Sequence, residues 1–206
     1  MRRALRWLGR TVGSLLTALL LVGLGFYLHF LWAGPELKPW HRVRLTTEFT
    51  ASDYADGRVT TLAQYREREQ LLLDQVRTEI TPQLGDADRL PHNRFNPGSL
   101  SDPNVWDFNW NRTFVLQPAG EAKGGVLLLH GLTDSPYSLR SIGMALAVRG
   151  YRVVGLRLPG HGIAPAGLLR FEVEDLEAAT RLAMRDLRAA LGESKPIYMI
   201  GYSNGA

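Results

Sequence analysis

Gly201-Tyr202-Ser203-Asn204-Gly205 has the spacing G-x-S-x-G, and the apolar stretch Ile197-Tyr-Met-Ile200 runs directly into it. A serine on a sharp turn after a strand stands clear of the sheet and can attack a carbonyl carbon. Glycines two before and two after it remove the side chains that would clash in so tight a turn. The spacing alone is weak, and a plain glycine-rich turn is the alternative; the strand ahead of it gives it weight. Acyl transfer builds negative charge on the carbonyl oxygen, which fixed backbone N–H groups stabilise. Asn204 N–H, just after the serine, is one candidate donor. Leu132 N–H is the other, in His130-Gly131-Leu132 at the end of a second apolar run, where Gly131 allows close approach. The His130 side chain reads as a buried imidazole holding this loop, not as a base.

The elements that must carry these residues are visible as a change of rhythm from Arg112 onward. Thr113–Leu116 is a short strand candidate. The continuous apolar run Gly125–His130 is expected of a strand buried on both faces. A helix follows over Pro136–Arg149, with Ser135 as its N-cap, Pro136 in its first turn and Gly150 as its stop. Tyr151–Leu156 is the next strand, and Glu172–Leu191 is an amphipathic helix whose acidic start suits the helix dipole. Strand, helix, strand, helix, strand predicts an α/β architecture with a parallel sheet.

Upstream, Thr60–Ile80 has helical periodicity, with Leu62, Tyr65, Leu72, Val76 and Ile80 on the packed face and Arg66, Glu67, Arg68 and Glu69 on the wet one. Residues 81–111 are loop-like in composition, and Trp106, Phe108 and Trp110 are expected to pin that loop to the core.

Three segments together, Gly125–Ser138, Leu158-Pro-Gly-His-Gly162 and Gly201–Ala206, resemble the α/β-hydrolase superfamily in its esterase and monoacylglycerol-lipase-like branch. The resemblance covers about residues 112–206. It implies an α/β-hydrolase sheet, Ser203 as nucleophile, and Leu132 and Asn204 as oxyanion donors, with Gly131, Gly201, Gly205 and His130 supporting the two loops. His161 is implied to be structural, at the border of the acyl pocket. No cofactor and no metal is expected. In this fold the catalytic acid and histidine follow the serine in sequence, whereas Asp134, His130 and His161 all precede it and Ala206 ends the sequence three residues later. The expectation is therefore a truncated sheet, with the 206 residues inactive and poorly soluble by themselves. The longer protein would be a carboxylic ester hydrolase acting on a small-molecule or lipid-like ester. A serine acyltransferase, or a binding protein that keeps the fold without catalysis, is the alternative.

Ahead of all this lies a segment of another kind. Between Arg10 and Glu36 no side chain is charged. The run exceeds the roughly 20 residues needed to cross a bilayer as a helix, and Trp7, Tyr27 and Trp32 sit where interfacial aromatics would anchor it. Pro35 and Pro39 are expected to stop the helix. A cleaved signal peptide is the rival, but its apolar region is usually only about 7–15 residues. The sequence predicts a single-pass inner-membrane anchor over residues 1–34, a linker and helical region over 35–111, and the hydrolase domain over 112–206, on the outer or periplasmic side. The net charge of +4 belongs to the N-terminus: from residue 45 onward, 17 basic side chains face 19 acidic ones. With no basic stripe, nucleic acid is not an expected partner. Absence of cysteine excludes disulfides and thiolate chemistry, and the five histidines lack ligand spacing. The oligomeric state has no signature here.

Overall fold

The computed structural model describes residues 2–34 and 36–206; the helix stop expected at Pro35 lies outside the described residues. The chain divides into two compact units, one ending at Leu37 and the other Lys38–Ala206. The first is built on α1 (Arg2–Trp32), whose stretch Arg10–Trp32 is 23 residues long and wholly uncovered. At 1.5 Å per residue it is about 35 Å long, enough to cross a hydrocarbon core of about 30 Å.

In the second unit Pro39 does not end a helix but opens one, in the first turn of the short α2 (Pro39–Arg42), where its missing N–H costs nothing. Then come α3 (Ala51–Ala55) and α4 (Leu62–Gln75). Thr50 and Thr61 accept from Asp53 N–H and Gln64 N–H, and those side chains reach back to the cap residues. This reciprocal box satisfies N–H groups that a helix start leaves open. A π-helical turn over Val76–Ile80 continues α4.

The sheet has four strands in the order β1-β3-β2-β4: β1 Phe114–Leu116, β2 Gly124–Leu129, β3 Tyr151–Leu156 and β4 Ile197–Gly201. β2 pairs in parallel with both β3 and β4. β1 runs antiparallel to β3, so the sheet is mixed and not purely parallel as expected. Only residues 117–123 join β1 to β2, too few for the crossover of a dozen or more residues that a parallel return requires. Two helices follow β2 and β3: α5 (Arg140–Val148) and α6 (Val173–Leu191).

β2 is buried along its whole length because both faces are covered. Leu127 and Leu129, with Val154 and Leu156 of β3, pack against Ala178, Ala179, Leu182 and Leu187 of α6 and against Phe49 and Tyr65 from upstream. The alternate residues Val126, Leu128 and Val153 meet Phe114 and Leu139 on the other face. Phe114 lies opposite Gly155 in the register, and its ring fills the space a Gly155 side chain would take. The aromatics of the preceding loop do reach this layer: Trp110 packs edge-on to Phe114 at 5.1 Å, Phe108 meets Trp110 at 4.9 Å, and Trp106 lies 5.4 Å from Tyr137.

Two local expectations are overturned. The chain after β2 opens as a 3-10 turn, Pro136–Leu139, before α5, and Ser135 does not cap it; its hydroxyl donates instead to Asn111 Oδ1 at 2.7 Å. Glu69, assigned to the wet face of its helix, is fully buried, because a buried arginine waits for it on the sheet.

Candidate active site

The site grows from the C-terminal ends of three parallel strands. Gly201 closes β4, Tyr202 stays extended, and Ser203 takes φ +53°, a left-handed conformation rare for a residue with a side chain. Gly205 N–H donates back to Tyr202 O at 3.0 Å, closing the turn. Both elbow glycines are required sterically. A Cβ on Gly205 would lie 2.5 Å from Leu129 O and 2.7 Å from His130 O, and one on Gly201 would collide with Gly205 O. No hydrogen bond restrains the Ser203 side chain among the described residues, and it is exposed.

The end of β2 supplies the second loop. A Cβ on Gly131 would meet the Tyr202 ring at 2.8 Å and Ser203 Cβ at 3.3 Å, so the absence of a side chain there lets the two loops touch. Leu132 and Thr133 follow on a turn, with Thr133 at φ +62°. The N–H groups of Leu132 and Asn204 have no acceptor among the described residues. The structure brings Ser203, Gly131 and Tyr202 together.

His130 and His161 face each other edge-on at 5.5 Å, and neither bonds Ser203. His130 Nε2 accepts from Leu158 N–H at 3.0 Å, which leaves Nδ1–H to donate to Gly131 O at 2.9 Å. Both ring nitrogens are committed to fixing the loops. Burial holds its pKa down at about 4, so the ring is neutral at pH 7. His161 donates from Nδ1 to Pro159 O at 2.7 Å, and its ring lies 4.7 Å from Phe171. Its Nε2 is buried without a partner among the described residues, and burial lowers its pKa too.

The end of β3 is held by Arg157, which is wholly buried. Nε donates to Glu69 Oε1 at 3.0 Å, while Nη1 and Nη2 reach Glu48 at 3.0 and 2.7 Å. Nη1 also binds His161 O at 3.0 Å. Glu48 Oε2 accepts from Gly160 N–H at 2.9 Å, and Glu69 takes Thr113 N–H and O–H. Burial alone would lower the Arg157 pKa, but Glu48, Tyr65 and Glu69 together outweigh it and the guanidinium is held charged. Burial pushes the Glu69 carboxyl up, while Arg157 and the Thr113 bonds pull it back. With three donors aimed at the Glu69 carboxylate, we take the pair as ionised.

Sequence reasoning singles out Ser203, Leu132, Asn204 and the glycines as candidates but not Glu48, Glu69 and Arg157, which pin the loop after β3. One signal was available: Arg157 is a charge between the apolar Val153–Leu156 and Leu158, and a charge inside such a run needs a buried partner. Tyr202 had no signal beyond its place beside the serine.

Residues 125–206 match the family model described as the alpha/beta hydrolase fold. A solved structure from work on LipS and LipT, two metagenome-derived lipolytic enzymes, shares 32% sequence identity with a TM-score of 0.42, over 47% of this chain and 37% of that one. The present chain therefore spans little more than a third of that protein's length. No curated protein matches it. Over residues 125–206 the chain is similar to proteins of the alpha/beta hydrolase fold, and the parallel β3-β2-β4 pairing and the strand-to-turn serine agree with that likeness.

Proposed function

We propose that the protein is a membrane-anchored serine hydrolase that cleaves carboxylic esters, lipid-like ones included, through Ser203. One observation carries this reading: Ser203 sits at φ +53° on a one-residue-deep turn after β4, with Gly131 of the neighbouring strand's loop packed against it. Strain of this kind persists at positions where surrounding structure imposes it, and such positions cluster at active sites. Ser203 Oγ attacks the ester carbonyl, and the oxyanion forms between the N–H groups of Leu132 and Asn204. The alcohol leaves, and water then releases the acid from the acyl-serine. His130 and His161 are tied to backbone carbonyls and neither bonds Ser203, so the role of proton acceptor falls to another histidine, oriented by an acid. We assign residues 1–34 to the anchor, 35–111 to a connecting region and 112–206 to the hydrolase domain. The N-terminus lies on the cytoplasmic side.

A fluorophosphonate probe on the full-length protein tests the reading. We expect covalent labelling of the protein, and loss of both labelling and ester turnover, by about 10⁴-fold or more, in Ser203→Ala. Absence of labelling in a folded full-length protein would leave a binding protein that has kept the fold without the chemistry. Label transferred to an alcohol acceptor in preference to water would make it an acyltransferase.

A further inference from the structure

The geometry points to Tyr202 as a positioning residue, whose phenol, clasped by Asp134 and Ser138, sets the Gly131–Leu132 turn at a fixed distance from Ser203. The inference rests on Ser203 being the nucleophile, and it deepens that reading. The proposed oxyanion site draws its two donors from different loops, Leu132 after β2 and Asn204 after β4. Such a site works only while the loops keep their separation to within about 0.5 Å.

The Tyr202 hydroxyl donates to Asp134 Oδ2 and lies 3.1 Å from Ser138 Oγ. Among the described residues these are the side-chain hydrogen bonds that join residues 131–138 to residues 201–206. The other Asp134 oxygen accepts from Ser135 N–H at 2.7 Å, so the carboxylate grips its own loop and the elbow together. The ring supplies the opposing force. Its Cε2 atom lies 2.8 Å from where a Gly131 Cβ would stand, so the loop cannot sink onto the elbow. The hydroxyl pulls the loops together and the ring stops them. Tyr202 is also adjacent to Ser203, so one peptide unit links the ring's placement to the serine backbone. Asp134 gains a second meaning. A carboxylate two residues from Leu132 N–H would oppose a developing oxyanion if it swung free, and both of its oxygens are engaged.

The test is a double-mutant cycle in the full-length protein, read with a short-chain p-nitrophenyl ester. Tyr202→Phe keeps the ring and removes the hydroxyl; Asp134→Ala removes its partner. Each single variant is expected to lower kcat about tenfold with KM changed less than about twofold, because donors are displaced and substrate binding is not. The thermal midpoint should not move, since the clasp is on the surface. The double variant should be no slower than the worse single, because one interaction is being removed twice. Asp134→Asn, which keeps an acceptor, should recover most of the rate. An unchanged kcat in Tyr202→Phe, or losses that multiply in the double variant, would overturn the clasp while Ser203→Ala remained dead. If Ser203→Ala kept its turnover, the nucleophile assignment would fall and the clasp with it.

Discussion

At the end of β3 the chain enters Arg157–His161 through a cluster of charges centred on the wholly buried Arg157, whereas at the end of β4 it enters Tyr202–Gly205 with one face open. β3 is flanked by β1 and β2, and its last four residues are buried. β4 pairs only with β2 among the described residues, and Tyr198, Met199 and Ile200 are 50, 55 and 37% exposed. Partners from far upstream place the first loop: Glu48 comes from 109 residues before Arg157 and Glu69 from 88. Local sterics place the second, through glycines that admit the Leu129 and His130 carbonyls and through the Tyr202 ring. A loop fixed by long-range burial should report damage as lost stability. One fixed by short-range contacts should report it as lost rate. The two ends of the site are therefore separable by experiment.

The largest effect is expected at the buried end. Glu69→Ala leaves Arg157 Nε and the Thr113 N–H and hydroxyl without their shared acceptor in a region with no water access. Breaking a buried ion pair from one side costs about 3–5 kcal/mol. Urea unfolding should show that loss, and a change below about 1 kcal/mol would mean Arg157 is satisfied without Glu69.

His130 gives a pH-dependent version of the same comparison. Its ordinary value of 6.5 falls to about 4 in the fold because burial disfavours the charged ring. Between those two values the unfolded chain binds a proton that the folded one refuses, so stability rises with pH across that window. Acidification from pH 7 to 4.5 should remove about 2–3 kcal/mol through this group alone. Protonation would also abolish the acceptor of Leu158 N–H. The difference in urea stability between wild type and His130→Asn should therefore shrink as the pH falls. A gap that stays constant would mean that folding does not lower the pKa of the ring.

How much of this was legible beforehand follows from the range of each interaction. β2 and β3 were readable because burial on both faces leaves a continuous apolar run, and α6 because its packed face repeats at helical spacing. The Ser203 turn was readable because a steric demand writes glycines at fixed offsets. The direction of β1 depended on the seven-residue joint behind it, and that constraint was not applied. Glu69 was misplaced because four consecutive charged residues look like solvent contact from the helix alone. Thr113, 44 residues later, and Arg157, 88 residues later, make the inward position favourable. Ser135 stands where a cap belongs, but Asn111 competes for its hydroxyl. The Tyr202 clasp joins two loops whose meeting is a product of sheet order, which sequence spacing does not encode.

Between the extremes lies Gly155. An alanine there would drive its methyl into the Phe114 ring, three of whose carbons would lie within 2.7 Å of it. Overpacking of this kind typically costs about 1–3 kcal/mol. Gly155→Ala should lower the unfolding midpoint accordingly, and the additional change Phe114→Leu should recover part of the loss by opening space. Failure of the smaller side chain to rescue would mean that the strain sits in the β1–β3 pairing, not in the ring.

The smallest effect is expected on β4, and it tests whether the openness of that strand is a property of the fold or of the residues present. Met199→Thr exchanges a half-exposed thioether for a β-branched polar side chain that suits a strand. In the 206-residue chain the change should fall within about 0.5 kcal/mol, the range of surface substitutions. The matching change on β3, Val154→Thr, buries a hydroxyl in the α6-facing core and should cost about 1–3 kcal/mol. If the chain that supplies the proposed histidine also covers β4, Met199→Thr should approach the Val154→Thr cost in the longer protein. Urea unfolding of both variants in both lengths decides it. Equal, negligible costs for Met199→Thr at either length would mean β4 is a true edge, and the base would then have to reach Ser203 from a segment that does not extend the sheet.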